Sequence, residues 1–224
     1  MPGGADHMLR RLGRDRRGSV LAEFAICLPV LATLYIGSYM AVDEVGCSRK
    51  VSIATRTLTD LVSRSLSPSA ITANPAGADA TALMTAAALT LTPYSPVNAA
   101  ENVGLLRVCD STHAYVIWSQ AIAYDASGQP TSATPLLTAG SLSSSSVVSV
   151  PNAMITAPMV PTSPDGSNVC QNYATGTASK VQVGTAGGYL FVAQVDFAYQ
   201  PLTGFGFPAS VALGNVLYMS PRLY

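Results

Sequence analysis

Residues 10–40, RRLGRDRRGSVLAEFAICLPVLATLYIGSYM, decide the fold of this chain. The stretch places five arginines ahead of Gly18 and then an apolar run. From Phe24 to Val42 there are 19 consecutive residues without a charge, which is about the length that a helix needs to cross a hydrocarbon core. Because the arginine cluster lies directly before this run, the positive-inside rule predicts a cytoplasmic N-terminus and an exported remainder.

One acid, Glu23, lies at the head of the apolar run. A carboxylate in a membrane helix is disfavoured by roughly 2.5–3.5 kcal/mol at the centre and by less near an end. Glu23 could simply lie close enough to the interface to reach water. Alternatively, a cut after Gly18 would make Ser19 the new amino terminus, and the amine of a neighbouring subunit could neutralise Glu23 inside an apolar bundle.

The order of motifs in this stretch resembles a known family. Arg16-Arg17-Gly18-Ser19, Glu23-Phe24-Ala25 and Leu28-Pro29 are similar to the class III signal of type IV pilin-like proteins. More narrowly, they resemble the opening of the TadE-like minor pseudopilins of tight-adherence (Tad) pili. Arg49–Val62 is similar to the stretch that follows the membrane helix in that family. The resemblance is strong over about residues 14–64 and covers the rest only in general layout.

This resemblance implies a minor pseudopilin, a structural or assembly subunit of a Tad (type IVc-like) pilus. A prepilin peptidase would cleave the precursor between Gly18 and Ser19 in the bacterial inner membrane, with the N-terminus cytoplasmic and the head periplasmic. The implied partners are other pilin and pseudopilin subunits, and the implied final location is an extracellular pilus. The assembly residues would be Ser19, Glu23, Phe24 and Pro29.

Two other interpretations of the N-terminus stay open. The apolar run could be the permanent anchor of an unprocessed, signal-anchored periplasmic binding or adhesion protein. It could also be an ordinary secretory signal, which needs a small-residue cleavage site after a short apolar core. The run is long and ends in Ala41-Val42-Asp43-Glu44 without an A-x-A site, so the secretory signal is the weaker of the two.

Composition narrows the class of protein further. Of 224 residues, 49% are hydrophobic and only 11% are charged, which argues against a disordered chain. Removing residues 1–18 leaves 7 basic and 10 acidic residues, a net charge of −3. The basic cluster is therefore interpreted as a topology signal, and no nucleic-acid partner is expected.

The chain divides by pattern into four segments: a leader at 1–18, a transmembrane and assembly helix at 19–42, its amphipathic continuation at 43–66, and an exported head at 67–224. The head includes a Ser/Pro-rich insertion at about 129–180. In the continuation, apolar residues recur at spacings of four and three, which predicts one helical stripe packed on the protein's own domain: Cys47, Val51, Ala54, Leu58 and Leu61.

The head reads as a short helix followed by strands: Asp79–Leu91, then Val103–Cys109, Ala114–Tyr124, Gly188–Tyr199 and Ala209–Met219. The expected fold class is α+β. A long N-terminal helix would pack on an antiparallel β-sheet, giving a pilin-like head.

Reactive residues are few in the exported part. Cys109 and Cys170 are a candidate disulfide in an oxidising compartment, or else two buried thiols. Two histidines and no C-x-x-C spacing argue against a metal site. His113 lies near Asp110, but no G-x-S-x-G elbow accompanies it. We expect no cofactor and no enzymatic activity.

Overall fold

The computed structural model describes residues 17–65, 78–139, 146–160, 188–201 and 209–221. Two compact units divide the chain, residues 1–45 and residues 46–224. Together they form an α+β protein in which a long N-terminal helix is followed by an antiparallel sheet.

The first element is one continuous helix, α1, over Arg17–Ser65. It matches the helix predicted from Ser19 to about residue 66. Uninterrupted apolar and small residues in its first half, and a regular apolar stripe in its second, favour the helical period throughout. Pro29 is the only proline within its bounds.

A second helix, α2, covers Ala78–Ala88, and a 3₁₀ turn continues it over Leu89–Leu91. This confirms the short helix predicted from the Ala-rich segment. Its alanines have the highest helix propensity of any residue. Pro93 follows the 3₁₀ turn, and a second 3₁₀ turn at Pro96–Asn98 leads into the sheet.

In the part of the chain that the structure describes, six strands form one antiparallel sheet. Their order across the sheet is β3-β2-β1-β5-β6, and β4 pairs with β2 beside β3. The bounds are β1 Ala99–Val108, β2 His113–Tyr124, β3 Pro130–Ala133, β4 Val147–Ser149, β5 Tyr189–Tyr199 and β6 Val211–Met219. The four long strands are those predicted from the sequence, whereas the insertion contributes the two short ones.

The inner face of the sheet carries the main core. Residues 46–65 of α1, together with α2, pack on this face. The helical contribution is Cys47, Val51, Ala54, Leu58, Val62, Met84, Ala87 and Leu91, and the sheet contributes Val103, Leu105, Trp118, Phe191, Val195 and Phe197. The predicted stripe is confirmed at its first four positions. The fifth position of the stripe is Val62 and not Leu61. Val62 lies four residues after Leu58 and is buried over the sheet, whereas Leu61, three residues after Leu58, is half-buried.

The outer face carries a second core, which the sequence did not predict. Leu106, Val116, Leu190 and Val192 are buried there by Val150, Ile155 and partly buried neighbours from the insertion. Leu105 and Leu106 are adjacent in β1 and belong to different clusters, since successive side chains of a strand point to opposite faces. The described part of the insertion therefore forms a third layer over part of the sheet.

Candidate functional site

The apolar part of α1 is the strongest functional feature of the described chain. Only 6% of the residues in its most apolar stretch are buried. Most of its large apolar side chains are exposed, with relative exposures from 50% at Leu28 to 74% at Tyr35, whereas Met40 is buried. A helix that is apolar all round needs a non-aqueous cover. One helix in the described residues is thus long and apolar enough to cross a membrane.

The predicted assembly residues lie along the first turns of this helix. Helical backbone begins at Arg17, so the peptide bond between Gly18 and Ser19 lies within the first turn. Glu23 and Phe24 follow about one turn later, and both side chains are exposed. Glu23 therefore stands where the apolar surface begins, and Phe24, 62% exposed, is the first large side chain of that surface.

Pro29 lies inside α1, where it removes one backbone hydrogen bond. Thr33 lies one turn later, and its hydroxyl donates a 2.7 Å hydrogen bond to the carbonyl oxygen of Pro29. Ser38 likewise donates to the carbonyl of Tyr35 at 2.8 Å. These polar side chains are satisfied within the helix, so they do not interrupt the apolar surface.

The second half of α1 buries three hydroxyl side chains beside its apolar stripe: Thr55, Thr59 and Ser63. Thr55 donates to the carbonyl of Val51 at 2.9 Å, and Thr59 donates to the carbonyl of Thr55 at 2.7 Å. Thr59 and Ser63 are buried although hydropathy alone would assign both to the solvent-facing side of the helix. Because each hydroxyl finds a carbonyl one turn back, burial leaves no donor unsatisfied.

A carboxyl group is buried in the inner core at Glu101. Its side chain is fully buried, and its Oε2 atom has no hydrogen-bond partner in the described residues. The Tyr124 hydroxyl donates to Oε1 at 3.4 Å. Burial raises the pKa of Glu101 to about 8, only partly opposed by that hydrogen bond. The same burial, with Glu101 nearby, raises the pKa of Tyr124 above its ordinary range. Glu101 is therefore a neutral acid at pH 7.

Arg107 is the other buried ionisable group of β1, 2% exposed, and its guanidinium carbon lies 5.4 Å from the ring centroid of Tyr189. Desolvation lowers the pKa of Arg107, and the neighbouring Tyr189 opposes that shift. The stacked geometry is a cation–π contact. Sequence alternation places Glu101 and Arg107 on the inner face with Val103 and Leu105, so the signal for their burial was present in the pattern.

The residues considered for catalysis form a turn. Asp110 Oδ1 accepts from the backbone N–H of Thr112 at 2.7 Å and of His113 at 2.8 Å, and the His113 ring nitrogen Nδ1 lies 3.2 Å from the same oxygen. This arrangement closes the β1–β2 connection. The described residues hold no group of three or more potential metal ligands.

Cys109 is disulfide-bonded and buried. Its predicted partner, Cys170, lies outside the described residues. The pairing of the two cysteines stays a prediction.

Comparisons with protein-family models, with curated proteins and with solved structures find no match to this chain.

Proposed function

We propose that this chain is a minor pseudopilin, a structural or assembly subunit of a Tad-type pilus, and that it is processed after Gly18. The motif order from Arg16 to Pro29 supports this proposal, and so does the structural difference between the two halves of α1. Its first half has an apolar surface with no cover in the described residues, while its second half is built into the head. In this reading the head is pilin-like and periplasmic before assembly.

The observation that carries the proposal is the exposed apolar surface of α1 with an acid at its head. In the inner membrane, lipid would cover this surface, and in a filament the helices of neighbouring subunits would cover it instead. Each large apolar side chain that is fully removed from water contributes about 1.5–3 kcal/mol. Non-directional apolar packing keeps this surface out of water in either setting, but it does not fix the axial position of one helix against the next.

Glu23 would fix this axial position, that is, the register between neighbouring helices. After cleavage Ser19 carries a free amine, and Glu23 is the fifth residue of the processed chain. A carboxylate in an apolar bundle is costly unless an opposite charge lies within hydrogen-bond distance. The amine of a neighbouring subunit satisfies this condition at one axial offset only, so the pairing favours a single stacking of helices.

The mature N-terminus tests the processing step. We expect intact-mass and N-terminal peptide spectrometry of the protein purified from its native cell to give Ser19 as the first residue. A leader still attached would instead support the second candidate, an unprocessed signal-anchored periplasmic binding or adhesion protein. That alternative is favoured by the same helix, whose length and composition suit a permanent anchor equally well.

Substitution of Glu23 tests the register. Glu23→Ala should leave cleavage intact and impair assembly, measured as sheared pilus yield against precursor and mature protein in the membrane. Glu44→Ala, which changes an acid of α1 beyond the uncharged run, is the matched control and should assemble normally. Normal pilus formation by Glu23→Ala would contradict the register role while leaving the processing result unaffected.

A further inference from the structure

Part of the outer face of the sheet lies beyond the second core. Here β1, β5 and β6, together with the 3₁₀ turn that precedes β1, line a shallow groove of about 470 Å³. One row across the three strands is Ala100, Asp196 and Gly214, and the next pairs Ala198 with Ala212. Ala198, Ala212 and Gly214 are exposed. The groove therefore has a floor of backbone and very small side chains.

Asp196 is the only charged side chain on this face of β1, β5 and β6. Its Oδ2 accepts a 2.8 Å hydrogen bond from the side-chain amide of Gln194, which fixes the carboxylate along the strand. A Cβ atom at Gly214 would lie 2.6 Å from Oδ1 of Asp196. The glycine thus leaves room for the carboxylate to lie low across β6, where its charge faces the groove.

A complementary surface lies on the other side of the same unit. Arg49, Ile53 and Arg56 are exposed on α1 at spacings of four and three residues, so they form one stripe on the helix. The stripe faces away from the sheet, because the buried positions of α1 lie half a helical turn from it. Ile53 is 49% exposed between the two arginines. No ion pair involves either arginine among the described residues.

We propose that this groove binds the Arg49–Ile53–Arg56 stripe of a second copy of this chain. Ile53 would lie over the Ala and Gly floor, which leaves space for a branched side chain, and one of the two arginines would meet the carboxylate of Asp196. Charge complementarity selects this occupant: the groove presents one acid, and the stripe presents basic groups on both sides of an apolar side chain.

The contact joins two different surfaces of the same chain. Such a heterologous contact leaves each pair of copies with one unused groove and one unused stripe, so further copies can add by the same contact. It concerns residues of the 46–224 unit alone and does not depend on removal of the leader. Failure of this contact is therefore distinguishable from failure of the proposed processing.

Site-specific crosslinking tests the contact in the full-length chain. In a Cys27→Ala background, Ile53→Cys and Ala212→Cys are combined in one chain, expressed in membranes and treated with a short bis-maleimide. We expect a ladder of dimers and higher species on a denaturing gel. Either cysteine alone should give no crosslinked dimer, because a heterologous contact never brings two identical positions together. Ile53→Cys combined with Leu89→Cys, an exposed position away from the groove, is the matched control and should also give none.

Charge exchange supplies the decisive comparison. Asp196→Arg in the double-cysteine chain should lower the crosslinked fraction by about fivefold, the upper range for an exposed ion pair. Adding Arg49→Asp or Arg56→Asp should restore it. Restoration by either arginine supports the contact and identifies the partner of Asp196. Absence of a ladder in the double-cysteine chain, a crosslinked dimer from either cysteine alone, or restoration by neither arginine would overturn the proposal.

Discussion

Single buried groups set the acid–base behaviour of the head. Glu101 lies on the central strand β1 with a neutral carboxyl group, and Tyr124 is its only hydrogen-bond donor among the described residues. The fold accommodates an acid in such a site best while it is protonated, because charging it in the core requires desolvation without a compensating ion pair.

The pH dependence of stability follows from the sign of this shift. The pKa of Glu101 is about 8 in the folded chain and 4.5 in its ordinary environment. Between these values the unfolded state releases the proton and the folded state keeps it, so the free energy of unfolding falls as pH rises from 4.5 towards 8. Below pH 4.5 both states keep the proton, and the contribution of Glu101 to the free energy of unfolding no longer changes with pH.

We expect Glu101→Gln to flatten this dependence, since the amide keeps the shape of the side chain and does not ionise. Thermal unfolding of the purified full-length chain in detergent, followed by circular dichroism at about pH 5 and about pH 8, measures the effect. The parent should unfold at lower temperature at the higher pH, and the variant should show a clearly smaller difference. Asp125→Asn, an exposed acid-to-amide change, should retain the parental difference; an unchanged difference in Glu101→Gln would show that another group is responsible.

At the scale of elements, the helix shows how much a pattern can predict. Continuity of α1 through the apolar run and the stripe followed from spacing alone, and its observed bounds differ from the expected ones by one or two residues. Two features were not predictable in the same way: the burial of Val62 in the place expected for Leu61, and the burial of Thr59 and Ser63. They depend on the rotation of the helix over the sheet and on hydroxyl groups bonding to helix carbonyls, neither of which hydropathy records.

The two sides of α1 should respond differently to the same truncation. Leu58 is fully buried in the inner core, whereas Ile53 is 49% exposed on the opposite side. Leu58→Ala should therefore cost about 2–5 kcal/mol of unfolding free energy, and Ile53→Ala should change it by less than about 0.5 kcal/mol. Denaturant titration of the full-length chain in detergent gives both values. Comparable losses of unfolding free energy in the two variants would mean that the apolar stripe from Cys47 to Val62 does not define the packed side of α1.

At the scale of the whole molecule, the sequence predicted two layers where the described head has three. The strands from Val103 onward were identifiable because their alternation and turn residues are local signals. The cover on their outer face was missed because residues 146–160 contain one short strand and two 3₁₀ turns, with prolines at 151 and 158. Val150 and Ile155 are buried through contacts made far along the chain, so no local period marks them. The candidate site shows the same division: Glu23 and Pro29 could be found from order and spacing, whereas the groove at Asp196 exists only after β1, β5 and β6 are paired.

Truncation of two adjacent leucines of β1 can distinguish a two-layer head from a three-layer head. Leu105 is fully buried against the helices, and Leu106, 1% exposed, is buried against the insertion. If the insertion were only a surface loop, Leu106 would face solvent and its truncation would cost little, as for any exposed side chain. In the three-layer head, Leu105→Ala and Leu106→Ala should each cost about 2–5 kcal/mol. Leu136→Ala, in the insertion but 59% exposed, should change stability by less than about 0.5 kcal/mol. Denaturant titrations of the three variants measure these changes in unfolding free energy. A loss of stability in Leu105→Ala without one in Leu106→Ala would mean that the outer face of the sheet is uncovered and that the head has no third layer.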